Sequence, residues 1–285
     1  ETIEGSVPKA SESATVYFRP KNAPNLLDLT KATEFARRLE FIKDPIQETK
    51  NIYRWEDADA PLRIIRYDIV SKNFLLRYHF EKDMGLFAER AVPVEQVAKS
   101  EAKNILQTYN LNQDDYENGS AVVQYLKLVG DKLVKTTSLN QADSIRIDYF
   151  RAPIGNTPVV NAYPDEGLIS FVFSGSKNTK KRILQFAYTY RPIDYVQTAT
   201  YGLKASSTAW SELQAGRGYI ARYPAKGNTA LVRTVYLGYY ESDYQSDYQF
   251  IEPQTYMQPV FVFEGDDGFL AYVPAVAPPW IEEAK

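Results

Sequence analysis

Apolar residues recur at spacings of three and four in a few stretches of this chain and alternate with polar residues through most of the rest. Over residues 30–41, Ala32, Phe35, Ala36 and Leu39 fall on one face, which predicts a helix capped by Asp28 or Thr30. Over residues 93–109 a second stripe runs through Val94, Val97, Ala98, Ala102, Ile105 and Tyr109, with Pro93 suited to the first turn. A short third helix is expected after Ser206 or Ser207. It carries Ala209, Trp210 and Leu213, and Gly216 stands where the chain must turn out of it.

Strand patterns occupy residues 15–18, 51–55, 62–69, 74–80, 121–129, 145–151, 168–174 and 182–190. Four more follow at residues 218–223, 231–240, 260–264 and 269–273. Arg63, Arg66 and Arg77 interrupt the apolar residues, as in a sheet with one face in water. Ser71-Lys72-Asn73 and Asp266-Asp267-Gly268 read as hairpin turns. The fold class expected is therefore α+β, with antiparallel sheets and a few short helices packed on them, in two domains. Residues 1–14, polar and rich in Ser and Glu, read as a linker and lack the basic start and apolar stretch of a signal peptide. Residues 15–195 form an N-terminal α+β domain that divides naturally into two helix-plus-sheet units. The boundary falls near residues 192–205, and residues 196–285 form a C-terminal helix-plus-antiparallel-sheet domain.

Composition narrows the chemistry. The chain has 285 residues, a net charge of −3, no cysteine and one histidine, against 22 tyrosines. Without thiols there are no disulfides, thiolate zinc sites, iron–sulfur clusters or Cys nucleophiles. With His79 alone, a His-rich metal site cannot be built, and no Gly-x-Ser-x-Gly elbow or glycine-rich phosphate loop is present. His79 reads as structural, and Trp55, Trp210 and Trp280 as packing residues. The densest basic cluster, Lys177, Lys180, Lys181 and Arg182, reads as a solvated hairpin turn and not as a nucleic-acid footprint. The expectation is no cofactor, no metal, no nucleic-acid partner and no catalysis. The lack of cysteine and the wealth of tyrosine lean towards a location outside the cytoplasm.

The richest candidate surface is residues 236–250, YLGYYESDYQSDYQF. Three readings stay open there: an exposed polar loop at a strand end, an aromatic surface for a ligand or partner, and a calcium or acid–base site drawing on Glu241, Asp243, Asp247 and Glu252. The residues taken as a ligand or partner surface are Tyr239, Tyr240, Glu241, Asp243, Tyr244, Asp247 and Tyr248. Tyrosine supplies large contact area and a hydroxyl at low entropic cost, which suits sugars or proteins.

The C-terminal third carries a resemblance. The run Ser207-Thr208-Ala209-Trp210-Ser211-Glu212-Leu213-Gln214-Ala215-Gly216 precedes Val235-Tyr236-Leu237-Gly238-Tyr239-Tyr240, then Gln258-Pro259-Val260-Phe261-Val262-Phe263-Glu264-Gly265 and Phe269-Leu270-Ala271-Tyr272-Val273-Pro274-Ala275-Val276. Over about residues 195–277 this order resembles a group of uncharacterised single-pass membrane-anchored proteins of candidate-phyla bacteria. More distantly it is similar to YycI-like and PepSY-like extracytoplasmic regulatory modules. The resemblance implies an α+β fold, an envelope location, and a non-catalytic binding or regulatory role whose partner is another envelope protein or a surface polymer. The membrane would be reached only through an anchor outside this chain. It implies no catalytic residue, and the 244–250 stretch departs from the group's pattern as an insertion. Two alternatives remain: a carbohydrate-binding or carbohydrate-active protein using tyrosines and carboxylates, and a structural cell-surface subunit.

Overall fold

The computed structural model describes residues 12–88, 91–241 and 254–280. The chain opens with β1 (Ser13–Phe18) and α1 (Asp28–Arg38), then β2 (Ile46–Gln47), β3 (Ile52–Glu56), β4 (Arg63–Asp68) and β5 (Phe74–Tyr78). Next come α2 (Glu95–Thr108), the one-turn α3 (Asp114–Glu117), β6 (Ser120–Val129), β7 (Lys132–Thr136), β8 (Ser144–Phe150) and β9 (Val159–Asn161). β10 (Ile169–Ser174), the one-turn α4 (Thr179–Arg182), β11 (Ile183–Tyr188) and β12 (Asp194–Gly202) follow. The last elements are α5 (Ser206–Gln214), β13 (Tyr219–Arg222), β14 (Val232–Glu241), β15 (Tyr256–Gly265) and β16 (Leu270–Pro274). The fold is α+β, as the period-two and period-3.6 patterns require. No helix among the described residues is long and apolar enough to cross a membrane.

The first sheet has nine strands in the order β2-β3-β4-β5-β11-β10-β8-β6-β7, all antiparallel. One face carries α1 and α2. Ala32 and Ala36 on α1 and Ala98 and Ala102 on α2 are the small residues that let the helices seat closely on Trp55, Phe74, Phe171, Phe173 and Phe186. The helix expected over residues 30–41 forms as α1, Asp28–Arg38, with Leu39 just past its end, and buries the expected Ala32, Ala36 and Leu39. On α2 the buried positions are Ala98, Ala102 and Leu106, while Val94 and Val97 are half exposed. Ile105 and Tyr109 still pack against the core, so the buried stripe keeps most of the expected positions, adds Leu106 and leaves out the two valines at the helix start.

The second sheet has seven strands. Its main path is β12-β1-β15-β14-β9, with β16 on β15 and β13 on β16. β9 runs parallel to β14, and the other pairings are antiparallel. α5 covers one face, with Ala209, Trp210 and Leu213 packed on Phe261, Phe263 and Val273.

Strand pairing crosses the division expected at residue 195/196. β1 pairs with β12 and β15, and β9 pairs with β14, so both belong to the second sheet although they lie in the first two thirds of the chain. Of the expected linker, residues 1–11 lie outside the described residues, and Ser13 and Ala14 open β1. β12 occupies the stretch read as a boundary. It is exposed along most of its length and so carries no apolar alternation to betray it. Sequential strands are usually neighbours, but long returns are common enough that only pairing assigns them.

The basic cluster after β10 also differs from expectation. Lys180 Nζ lies 2.9 Å from Asp57 Oδ1 and 2.9 Å from Asp59 Oδ2. Lys181 Nζ meets Asp83 Oδ2 at 2.7 Å, and Arg182 Nη2 meets Glu101 Oε2 at 2.7 Å. The turn is tied down on three sides because the acids that pair with it come from distant segments. Asp57 is fully buried, and its oxygens also accept from the Asp59 and Ala60 N–H groups and from Arg63 Nη1 at 2.8 Å. Burial by itself would raise the Asp57 pKa. The hydrogen bonds from Lys180, the Asp59 amide, Arg63 and the Ala60 amide outweigh it and hold the group below its ordinary value. A carboxyl depressed in the folded state stabilises the fold above its unfolded-chain pKa of about 3.9, and that contribution disappears as pH falls through the folded value. Asp57→Asn should therefore lower stability at neutral pH and flatten its decline below about pH 4. Urea unfolding at several acid pH values checks this. Equal acid slopes in the two proteins would show that Asp57 carries no such linkage.

Candidate functional site

β14 is a strand of ten residues in which tyrosine stands at 236, 239 and 240. The pleat sends alternate side chains to opposite faces. Val235 and Leu237 join the core under α5. Tyr236 and Tyr240 point the other way, onto Val260, Val262, Leu270 and Tyr272. Tyr240 and Tyr272 have ring centroids 5.8 Å apart, and Tyr219 stacks on Tyr272 at 6.1 Å.

This second face borders a cleft of about 450 Å³. Tyr236, Leu270 and Tyr272 line it from the sheet, Val160 and Asn161 from β9, and Phe150 from the end of β8. Its polar walls are held by hydrogen bonds within the protein. Tyr236 Oη donates to Glu264 Oε1 at 2.8 Å, which orients that carboxylate. Arg222 Nη2 donates to Asp165 Oδ1 at 2.5 Å, and Arg222 Nη1 lies 3.4 Å from the Gly268 carbonyl. Asn161 Nδ2 donates to the Glu166 carbonyl and its Oδ1 accepts from the Tyr163 N–H, both at 2.9 Å. The Tyr272 hydroxyl and Arg222 Nε are buried without a hydrogen-bond partner among the described residues. Burial, joined for Tyr236 by the Glu264 carboxylate, pushes the Tyr236 and Tyr272 hydroxyls well above their ordinary pKa. Both stay protonated and can donate throughout the physiological range.

The tyrosine-rich segment does not form one surface over the described residues. Tyr240 borders the cleft side, while Tyr239 and Glu241 face away from it. The Tyr239 hydroxyl donates to the Thr15 carbonyl at 2.8 Å, and its ring packs edge-on against Tyr17 at 5.5 Å. Glu241, taken from the sequence as part of a ligand or partner surface, is buried. Its Oε1 accepts from Arg151 Nη2 at 2.7 Å and from Arg19 Nη2 at 3.2 Å. The reason is geometric: on the face of β14 that carries Val235 and Leu237 under α5, the last two positions, 239 and 241, run past the helix to meet β1, Arg19 and Arg151. Asp243, Tyr244, Asp247 and Tyr248, together with Glu252, lie outside the described residues.

Arg222, Glu264, Asn161 and Tyr272 were not singled out by sequence reasoning. They come from four strands whose neighbourhood depends on the β13–β16–β15–β14–β9 pairing. The available signal was the two-residue spacing of Leu270 and Tyr272 opposite Val262 and Glu264 in the hairpin turning at Asp266-Asp267-Gly268. His79 is not among the cleft residues; its Nδ1 sits 3.8 Å from Glu81. Among the described residues no group of three or more His, Asp or Glu is placed to hold a metal ion. Trp55 is buried under the helices of the first sheet and Trp210 packs on Phe263 at 5.8 Å. Trp280 is largely exposed, edge-on to Tyr201.

In comparison with known proteins, no family model matches the chain. No curated protein matches it in sequence.

Proposed function

We propose that this protein is a non-catalytic binding or regulatory module, working outside the cytoplasm as part of an envelope-anchored protein, and that it takes its ligand in the cleft beside Tyr236. The observation that carries the reading is the cleft's composition. Aromatic and aliphatic side chains form most of its lining, and Arg222, Asn161 and Glu264 are held in fixed positions around it. Polar atoms expose somewhat more of its wall than apolar ones, so the cleft offers a small molecule or polymer both ring and aliphatic packing and several prefixed polar groups. Among the described residues Glu264 is the one carboxylate in the lining, whereas hydrolysis of a glycosidic bond ordinarily uses a facing pair. The lack of thiols and the C-terminal resemblance support the envelope location.

Tyr236→Ala combined with Arg222→Gln is expected to weaken binding to purified envelope polymer by about tenfold or more, since both a ring and a fixed donor are lost. The thermal midpoint should fall by only a few degrees, because both residues are at least partly exposed. Co-sedimentation and calorimetry on the same preparation read the two quantities. Undiminished binding by the double variant would overturn the assignment of the cleft, and steady turnover of the polymer would overturn the non-catalytic reading.

A further inference from the structure

We infer that the cleft beside Tyr236 recognises a neutral saccharide, an inference that rests on its being the ligand site. The argument begins with charge. Arg222 and Glu264 line the same cleft, so its ionised groups cancel. An anion would approach the guanidinium but meet the Glu264 carboxylate, with Asp165 already occupying Arg222 from behind at 2.5 Å. A cation would approach Glu264 but meet Arg222. An uncharged ligand with both donors and acceptors meets neither conflict.

The next consideration is the kind of hydrogen bond on offer. A guanidinium presents donors only, a carboxylate accepts only, and an amide does both. Sugar hydroxyls both donate and accept, so adjacent hydroxyls on a ring can use the two kinds of wall together. Glu264 retains acceptor capacity beyond the one bond from Tyr236. The planar groups are already oriented by Tyr236, by Asp165 and by two backbone bonds to Asn161, so little freedom is lost on binding.

The apolar part completes the match. Pyranose rings carry a face of C–H groups that packs on aromatic surface. The cleft offers the rings of Tyr236, Phe150 and Phe269 beside its polar walls. Its volume of about 450 Å³ falls in the range of small-molecule sites, roughly 300–1,000 Å³. A peptide strand would require an edge with free backbone groups. β9 lines the cleft and pairs only with β14 among the described residues, over Val159–Asn161, so its outer edge is open and a peptide strand is the competing occupant that the titration must exclude.

The test is an amide-resonance titration of the whole chain with cellobiose, maltose and chitobiose, with digalacturonate and the chitosan dimer as charged counterparts, and with a tri-alanine peptide. The expected result is that at least one neutral disaccharide moves the resonances of Arg222, Tyr236 and Glu264 and binds about tenfold or more tightly than either charged one. Glu264→Gln and Tyr236→Ala should each weaken that binding by about tenfold, while Lys132→Gln on β7 leaves it unchanged. If a charged disaccharide binds as tightly or more tightly, or if only the peptide moves the cleft resonances, the saccharide inference fails while the ligand-site reading stands. If none of these probes nor purified envelope polymer moves them, both fail.

Discussion

Glu241→Gln should destabilise the protein by about 3–5 kcal/mol, the usual result of removing one partner from a buried ion pair. The Glu241 side chain is 4% exposed and those of Arg19 and Arg151 are fully buried. Arg151 Nε also reaches both Glu241 oxygens, at 3.1 and 3.3 Å, and Arg151 Nη2 donates to the Arg191 carbonyl at 2.9 Å. Arg151 further pairs with Asp115 on α3 and lies over the rings of Tyr116 and Tyr190, 5.0 and 5.4 Å from their centroids. Burial alone would lower the Arg151 pKa. The Glu241 charge and its hydrogen bonds more than offset that, so the guanidinium sits above its ordinary value.

The amide of Gln keeps the shape and removes the charge. The desolvated guanidinium groups are then left with Asp115 as the carboxylate partner of Arg151. Arg151 follows β8 of the first sheet, Arg19 follows β1 and Glu241 ends β14 of the second, so the weakened contact is one that fastens the two sheets together. Denaturant unfolding should show the midpoint falling with the slope little changed. A loss below about 1 kcal/mol would place Glu241 with ordinary surface pairs. Because Glu241 faces away from the cleft, ligand binding by the folded variant should be preserved.

Phe171→Ala should cost a similar amount, about 3–5 kcal/mol, by a different mechanism. Phe171 is fully buried at the centre of β10, with Phe186 on the next strand stacked at a centroid distance of 4.1 Å and Phe173 at 5.5 Å. Truncation removes apolar contact on all sides and leaves a cavity that strands pinned on both edges, by β8 and β11, cannot close. Phe171→Leu leaves a smaller void and should cost less. Urea midpoints for the pair measure the difference. An Ala variant as stable as the Leu variant would mean that the core relaxes into the gap. Native domains hold only about 5–15 kcal/mol, so either change removes a large share of the total.

Much of this architecture is legible in local periodicity. The spacing of Ala32, Ala36 and Leu39 sets the buried face of α1, and the two-residue alternation of Phe171 and Phe173 marks the face of β10 that lies under the helices, on a strand buried on both sides. The Asp266-Asp267-Gly268 turn is equally local: Asp267 and Gly268 adopt φ of 53° and 79°, a backbone suited to Asp and Gly. The cleft was legible only as a concentration of tyrosine along β14. Which of those tyrosines face the cleft follows from the pleat together with what covers each side, and the second of these is not local.

The chain by itself therefore determined the longer helices, most of the strands, the α+β class and the scarcity of reactive groups, because helix and strand faces are written in residue spacings of a few positions. The short β2, β7 and β9, the one-turn helices and the exposed β12 carry too little pattern to be read that way. The tertiary structure alone decided that β1 returns to pair with β12 and β15, that Glu241 is sealed between Arg19 and Arg151, and that Arg222 and Glu264 flank one cleft. Arg19 and Glu241 are 222 residues apart along the chain. Their meeting depends on which strand edges find one another, and no short-range pattern encodes that choice.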